Sequence, residues 1–439
     1  MKRRQWIDNM VDMELKTEVA DARNMDARNG VSRRDRFLIP EHNGEQALYF
    51  LGNSLGLQPR NARTHVDKVL QTWATTGVEG FFRGAEPWLQ FHNTLAAKLA
   101  PVVGAHPAEV VIMNGLTVNL HLLMVSFYQP RGARNKIICE AKAFPSDQYM
   151  LETHLRQRGL DPSEIIVEVT PAEGSATITE DHILDCIHQH RESVALVFWG
   201  GVNYYSGQLF DMENIARAAH EAGALVGFDL AHAAGNVVLR LHQWDVDFAA
   251  WCNYKYLNAG PGAVAAAFVH ERYHQDVTLQ RMAGWWGYQK DTRFKMQKGF
   301  VPVQSAEGWG LSTPSPLLFA ALAASLEIFE YVSMEELAAK GQEMSSYLIS
   351  LIEGINTSAG RTIIQVLTPL GVESRGCQVS MLFQQGGLPV FEYLSQVGIY
   401  ADWREPDVIR VAPAPLYNTF EEILLLAQAL EQACKKFLL

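Results

Sequence analysis

From residue 66 to residue 247 the chain alternates amphipathic stretches of helical period (66–75, 181–190, 212–222) with short apolar runs (110–113, 136–139, 165–169, 195–199, 225–228). Such alternation predicts an α/β fold whose large domain is a mostly parallel central sheet flanked by helices on both faces. Ligands of sheets of this kind bind outside the carboxyl ends of the strands. The residues directly after each apolar run are therefore the candidates for chemistry.

The chain has 439 residues, whereas single cores rarely grow past about 250–300 residues. A second domain is expected. Beyond Pro316 a helical stretch (317–331), an amphipathic helix (335–352), strands near 363–368 and 377–383 and a terminal helix from Thr419 read as a smaller C-terminal α/β domain. The expected division is 1–60 (N-terminal helices and a loop rich in Gly, Asn and Ser, packing with the small domain), 61–315 (large domain) and 316–439 (small domain). A net charge of −11 argues against binding nucleic acid or anionic membranes, since both need basic surface. Five scattered cysteines without C-x-x-C spacing indicate neither a disulfide framework nor a zinc site. With no apolar stretch of signal-peptide length after the charged residues 1–8, the expected location is the cytoplasm.

The loops after the apolar runs carry distinct chemistry. Asn114-Gly-Leu-Thr-Val-Asn119 is a glycine turn into a helix with Thr117 near its start. Unpaired N–H groups, the positive end of the helix dipole and a hydroxyl suit a phosphate there, and Thr117 equally suits a helix cap. Phe144-Pro-Ser-Asp147 offers a rigid aromatic surface for stacking on a heteroaromatic ring, although the same residues also start helices. The loop from Gly200 to Gly207 is informative only by its location. Indoles and glycines gather at 284–287 and 308–314, and exposed Trp is costly unless a ligand or partner subunit covers it. In the C-terminal region Arg410 sits among Val408, Ile409 and Val411, where its fork suits a substrate carboxylate or an internal salt bridge.

Lys255 lies in an aromatic and apolar setting downstream of the run that delivers Asp229 and His232. A poorly hydrated lysine is suited to carbonyl chemistry, and the carbonyl it fits is the aldehyde of pyridoxal 5'-phosphate. That cofactor needs its pyridine nitrogen protonated, a task for a buried carboxylate such as Asp229.

Taken together, Tyr49-Phe-Leu-Gly-Asn-Ser-Leu-Gly56, Leu116-Thr-Val-Asn-Leu-His121, Phe144-Pro-Ser-Asp147, Gly227-Phe-Asp-Leu-Ala-His-Ala233, Tyr254-Lys-Tyr-Leu-Asn-Ala-Gly260, Gly284-Trp285, Arg293-Phe-Lys-Met296 and Arg410-Val-Ala-Pro-Ala-Pro-Leu-Tyr-Asn418 resemble kynureninase. The resemblance runs from about residue 46 to the C-terminus. It implies a fold-type-I pyridoxal phosphate enzyme, a homodimer with sites shared between subunits, that hydrolyses L-kynurenine to anthranilate and L-alanine. By the same resemblance Lys255, Tyr254 and Asp229 are catalytic, Lys255 linking the cofactor covalently and then moving protons. Leu116, Thr117, Tyr254 and Trp285 hold the cofactor at its phosphate, Thr313 also binds the cofactor, Phe144 stacks on its ring, and Asp147, Asp229 and His232 lie beside it. Arg410 clamps the substrate's α-carboxylate, Asn53 and Ser54 line the substrate side, and Phe81, Trp285 and Thr313 meet its aromatic part. No metal is implied.

Two departures from the family pattern matter. Gly200 stands where many relatives carry a hydroxyl residue or proline, so no phosphate hydrogen bond is expected from that side chain. Phe81 and Thr313 stand where enzymes preferring 3-hydroxykynurenine place His and Asn. An apolar ring gives an extra hydroxyl no partner, so kynurenine is the expected preferred substrate. The alternatives are another fold-type-I enzyme, such as a cysteine desulfurase or aminotransferase, and a non-catalytic homologue that binds the cofactor. A desulfurase needs a cysteine on a mobile loop, whereas Cys377 reads as part of a strand.

Overall fold

The computed structural model describes residues 13–439. The charged stretch 1–8 lies outside the described residues. The chain divides into two compact units, one of residues 61–204 and 210–331, the other of 205–209 and 332–439 with the N-terminal part up to Arg60.

The larger unit is built on a seven-stranded sheet: β1 Val110–Ile112, β2 Lys136–Glu140, β3 Ile166–Val169, β4 Val194–Gly200, β5 Leu225–Asp229, β6 Phe248–Trp251 and β7 Ala266–Val269. The order across the sheet is β1-β7-β6-β5-β4-β2-β3. Only β7 is antiparallel to its neighbours. Strands covered on both faces lose the polar alternation of half-exposed strands, and β1, β6 and β7 are buried at every position. Close packing extends to the backbone at Gly227, where an added Cβ would lie 2.1 Å from the Phe248 ring of the paired strand. That ring stacks on Phe127 of the helix Leu116–Phe127, with centroids 4.8 Å apart. The glycine two residues before Asp229 thus lets the sheet and its covering helix close.

Sequence reading placed β1 to β5 but did not resolve β6 or β7, whose runs are short and alanine-rich. The second boundary also differs from expectation. Helix Pro316–Phe329, expected to open the small domain, belongs to the larger unit, where Ser325 Oγ donates to Leu257 O at 2.5 Å.

The smaller unit carries a four-stranded sheet, β8 Ile364–Val366, β9 Val379–Phe383, β10 Asp402–Arg404 and β11 Val408–Val411, in the order β8-β9-β11-β10. Its core includes residues of helices Met334–Ser358, Gly387–Gln396 and Phe420–Phe437. The N-terminal helix Met13–Arg28 packs Ala22, Val19 and Met25 against that same core. Asp26 accepts from the N–H groups of Phe420 (2.9 Å) and Glu421 (3.3 Å), so an acidic side chain meets the positive end of the terminal helix. Thr419 and Glu422 close a capping box at the same helix start. The N-terminal helix is therefore a structural part of this unit.

Candidate active site

The carboxyl ends of the strands gather most of the expected cofactor residues. Asp229 ends β5 and is paired across the sheet with Gly200 and Ala250. Its Oδ1 accepts from Ala231 N–H at 2.7 Å. Asp147 lies in the first turn of helix Pro145–Gln157 and is 5% exposed. Two buried neighbouring carboxyls cannot both hold a charge cheaply, and Asp147 is the one pushed toward its protonated form. Burial, and then Asp229, hold Asp147 well above the usual carboxylate range, while the Lys255 charge opposes the rise. Burial also raises Asp229, against the Ala231 N–H, Lys255 and Asp147.

Lys255 sits in the loop after β6. Its Nζ lies 5.9 Å from the centre of the Phe144 ring. Two buried asparagines hold this loop: Asn253 Nδ2 donates to Val264 O and Asn258 Nδ2 to Tyr256 O, each at 2.7 Å. Asn258 takes φ +50, a conformation that asparagine tolerates better than most residues. Tyr254 is next to Lys255, and burial first, then the neighbouring Cys252, push its hydroxyl up. His232 is buried three residues after Asp229. Phe144 is 42% exposed and braced edge-on by Tyr204, with centroids 5.3 Å apart.

Helix Leu116–Phe127 starts at Gly115 and helix Pro145–Gln157 at Phe144, and neither has a side-chain cap. Their first turns meet where Thr117 Oγ1 and Ser146 Oγ are 3.1 Å apart. Two uncapped helix starts joined by hydroxyls supply N–H donors and positive dipole ends to one point, a fit for a phosphate. Sequence reading passed over Ser146, although its place in the first turn was a usable signal. It also passed over Glu140, at the end of β2, which accepts from Asn203 Nδ2 at 2.5 Å and is pushed up to about 7 by burial. At Gly200 an added Cβ would meet Glu140 Oε2 at 3.5 Å, ordinary contact, so packing does not dictate glycine there.

The other expected residues of the larger unit make contacts of their own. Trp285 and Thr313 belong to two glycine-rich segments that bond to each other, Trp286 N–H to Leu311 O at 3.0 Å and Gly287 N–H to Gly310 O at 2.8 Å. Trp286 and Trp309 are buried, whereas Trp285 is 40% exposed and packs on Phe294. Phe294 in turn meets Phe82 at 5.8 Å, while Phe81 packs edge-on against Trp88 at 5.0 Å. Phe82, which sequence reading did not single out, is the member of the pair that continues the exposed aromatic row.

In the smaller unit Arg410 is 1% exposed on β11 and forms an ion pair with Asp402 of β10. Asp402 also accepts from Ser54 Oγ at 3.2 Å. Asn53 is buried, its Nδ2 donating to Gln378 Oε1 at 2.9 Å. The internal salt bridge weighed for Arg410 is thus present, and Ser54 shares its carboxylate.

The donor set fits pyridoxal phosphate. Asp147 Oδ1 is buried without a hydrogen-bond partner, the neighbouring Asp229 carboxylate suits a protonated ring nitrogen, and Lys255 and Phe144 suit the aldehyde and the ring.

Comparisons with known proteins agree with this chemistry. The aminotransferase class-V model matches residues 48–365 and the kynureninase C-terminal domain model matches residues 337–430. A kynureninase of Flavobacterium psychrophilum is 48% identical over 91% of this chain and 94% of that protein. One of Xanthomonas campestris pv. campestris is 50% identical over 91% of this chain and 93% of that protein. Among solved structures, a cysteine desulfurase of Thermococcus onnurineus has a TM-score of 0.73 at 16% identity, covering 89% of this chain and 95% of that one. A mutant C-DES with glycine covalently linked to its PLP cofactor has a TM-score of 0.73 at 17% identity, covering 88% of this chain and 96% of that one. At these identities the two structures speak to the fold. The five cysteines do not offer a desulfurase nucleophile on an open loop: Cys139, Cys252, Cys377 and Cys434 are buried and Cys186 lies half-buried in helix Glu180–Gln189.

Proposed function

The chain belongs to the kynureninase family, and from this we infer that it hydrolyses the Cβ–Cγ bond of L-kynurenine to anthranilate and L-alanine with pyridoxal 5'-phosphate at Lys255. The observation that carries the reading is the meeting of Lys255, Phe144, Asp147, Asp229 and two uncapped helix starts at one edge of the sheet.

Bound pyridoxal phosphate supplies an electron sink for bonds at the substrate's α-carbon. Asp229 would accept a hydrogen bond from the protonated ring nitrogen, with Asp147 buried beside it and held toward its protonated form. Phe144 covers one ring face, and His232 orients beside Asp229. The N–H groups of Leu116 and Thr117, with the hydroxyls of Thr117 and Ser146, hold the phosphate, aided by Tyr254, Trp285 and Thr313. Lys255 removes the α-proton and returns it, and Tyr254, kept protonated by burial, donates in the later steps. The elements of water add across Cβ–Cγ: hydroxyl goes to the aryl carbonyl carbon, which becomes the carboxyl of anthranilate, and a proton goes to Cβ, which becomes the methyl of alanine.

Arg410 binds the substrate's α-carboxylate, with Asn53 and Ser54 on the same side of the substrate. Phe81 and Thr313, with the row Phe82, Phe294 and Trp285, meet the aromatic ring and favour kynurenine over 3-hydroxykynurenine. The enzyme is a cytoplasmic homodimer. Exposed Trp73, Phe82, Phe294 and Met296 support a partner surface, and the cysteines are free. Among the described residues no single helix is long and apolar enough to cross a membrane.

The test is release of fluorescent anthranilate from L-kynurenine by purified protein, with Lys255→Ala losing the visible absorbance of the lysine-linked cofactor. Loss of a proton-transfer group lowers rates by about 10²–10⁴-fold, and Lys255→Ala is expected to fall at least that far. Wild type that carries the cofactor but releases no anthranilate overturns the activity and leaves the cofactor assignment standing. A kcat/KM for 3-hydroxykynurenine equal to or above that for kynurenine overturns the preference.

A further inference from the structure

The catalytic groups lie at the carboxyl ends of the parallel strands, and the opposite edge of the same sheet holds a second cluster of ionisable side chains. Glu109 directly precedes β1 and Asp247 directly precedes β6, whereas His270 directly follows β7, which runs the other way. The register brings all three to one edge, with Val110 opposite Phe268 and Phe248 opposite Val269. Asp229 is a strand length away, roughly 15 Å.

Glu109 is fully buried and organises this edge. Its Oε2 accepts from His106 N–H at 2.9 Å, and its Oε1 accepts from Glu271 N–H at 3.0 Å and faces His242 Nδ1 at 2.9 Å. One carboxylate thus fixes the backbone of two residues and the ring of a third. Backbone bonds reinforce the arrangement: Leu241 N–H donates to Val103 O at 3.2 Å and His242 N–H to Gly104 O at 3.1 Å. The two loops meet so closely that a Cβ at Gly104 would lie 2.2 Å from Leu239 O, and Gly104 takes φ +61. The His106 and His242 rings stack 3.9 Å apart, and His106 Nδ1 is 3.3 Å from Glu271 Oε2. One donor atom from each of His106, His242 and Glu271 lies within 4.8 Å of the others.

We propose that His106, His242 and Glu271 form a binding site for a divalent transition-metal cation of the zinc type, separate from the cofactor site. Two imidazoles and a carboxylate, completed by water, are a normal zinc ligand set with bonds of about 2.0–2.2 Å. Tetrahedral bonds of that length place donors roughly 3.3 Å apart. His106 Nδ1 and Glu271 Oε2 already have this spacing, and the half-exposed His106 ring turns off the face of His242 to bring both imidazole lone pairs to one ion. With Nδ1 turned to Glu109, His242 presents Nε2 to the metal, and a carboxylate behind the imidazole is the arrangement that fixes tautomer and orientation in metal sites. His106 and Glu271 are half exposed, which leaves an entry path and room to close on the ion. A second combination, Glu109 with His242 and His270, shares one imidazole. Glu109 supports rather than ligates, because both its oxygens are held by backbone N–H groups. The ion braces three loops of the folded chain and so raises stability by mass action.

The experiment is calorimetric titration of metal-free holoenzyme with Zn²⁺, repeated with Co²⁺ for its tetrahedral visible absorption, and thermal unfolding with and without Zn²⁺. One ion per chain is expected, with a Tm increase that disappears in His106→Ala and in Glu271→Gln. Glu109→Gln keeps the ligands but weakens binding by about 10–100-fold. His106→Ala should hydrolyse kynurenine at the wild-type rate. Wild type that takes up no zinc overturns the proposal, as does uptake of unchanged affinity in both His106→Ala and Glu271→Gln. His106 and Glu271 are surface residues, so the two variants report on binding without a burden on folding.

Discussion

Asp147 and Asp229 are buried neighbours, and burial together with Asp229 holds Asp147 well above the usual carboxylate range. Burial raises Asp147 above its unfolded value of about 3.9. A raised carboxyl stabilises the fold fully below that unfolded value, and the contribution is lost as pH rises through the folded one. Asp147→Asn keeps a donor and removes the titration. Calorimetry of the cofactor-free proteins should give a flatter Tm profile above about pH 4 for the variant. Parallel profiles would contradict the raised Asp147 carboxyl.

Glu140 offers a second, separable proton. Burial pushes it up to about 7, against the bond from Asn203. Its stabilising contribution is complete below about 4.5 and fades as pH rises through about 7. The Tm difference between wild type and Glu140→Gln should therefore shrink or change sign across this window. A constant difference between pH 4.5 and 8 would show, within about a pH unit, that Glu140 does not titrate there.

The Thr117–Ser146 contact predicts a cofactor effect without a stability effect. Each hydroxyl contributes a hydrogen bond worth about 0.5–1.5 kcal/mol. Thr117→Ala and Ser146→Ala should each raise the cofactor Kd by about 2- to 12-fold, read by absorbance titration of the cofactor-free protein. An unchanged Kd in the double variant would remove the phosphate from this point.

Arg410 is held by Asp402, which Ser54 also uses. Arg410→Lys keeps the charge but loses the two-pronged geometry. A charged hydrogen bond is worth about 1.5–3 kcal/mol, so KM for kynurenine should rise about 10- to 150-fold with a smaller change in kcat. Asp402→Ala instead removes one partner of a buried cation and should cost about 3 kcal/mol of stability, seen as a lower Tm. Equal Tm values would mean that other contacts of Arg410 suffice.

Much of the site was legible because strand ends are legible. An apolar run followed by Gly-Leu-Thr, by Phe-Pro-Ser-Asp or by Asp-Leu-Ala-His marks both the end of a strand and the residues exposed there, and these became the Thr117, Asp147 and Asp229 positions. Ser146 was in plain view but its contact was not, since Thr117 is 29 positions away and only the meeting of two helix starts joins them. Phe81 and Phe82 are adjacent, and the backbone of the short helix Gly77–Phe81 decides which ring turns to Trp88 and which to Phe294.

Sequence alone determined the α/β architecture and pointed to the strand ends and to Lys255, because periodicity and turn residues record local burial and backbone preference. Tertiary structure alone decided which distant groups meet. The antiparallel return of β7 sets His270 and Glu271 beside Glu109, and a glycine at 104 lets the His106 and His242 loops touch. His106 and Glu271 are 165 positions apart, and His242 and Glu109 are 133 apart. Nothing local to either residue encodes such a pairing. It follows from strand order and register, which are fixed only when the whole sheet closes.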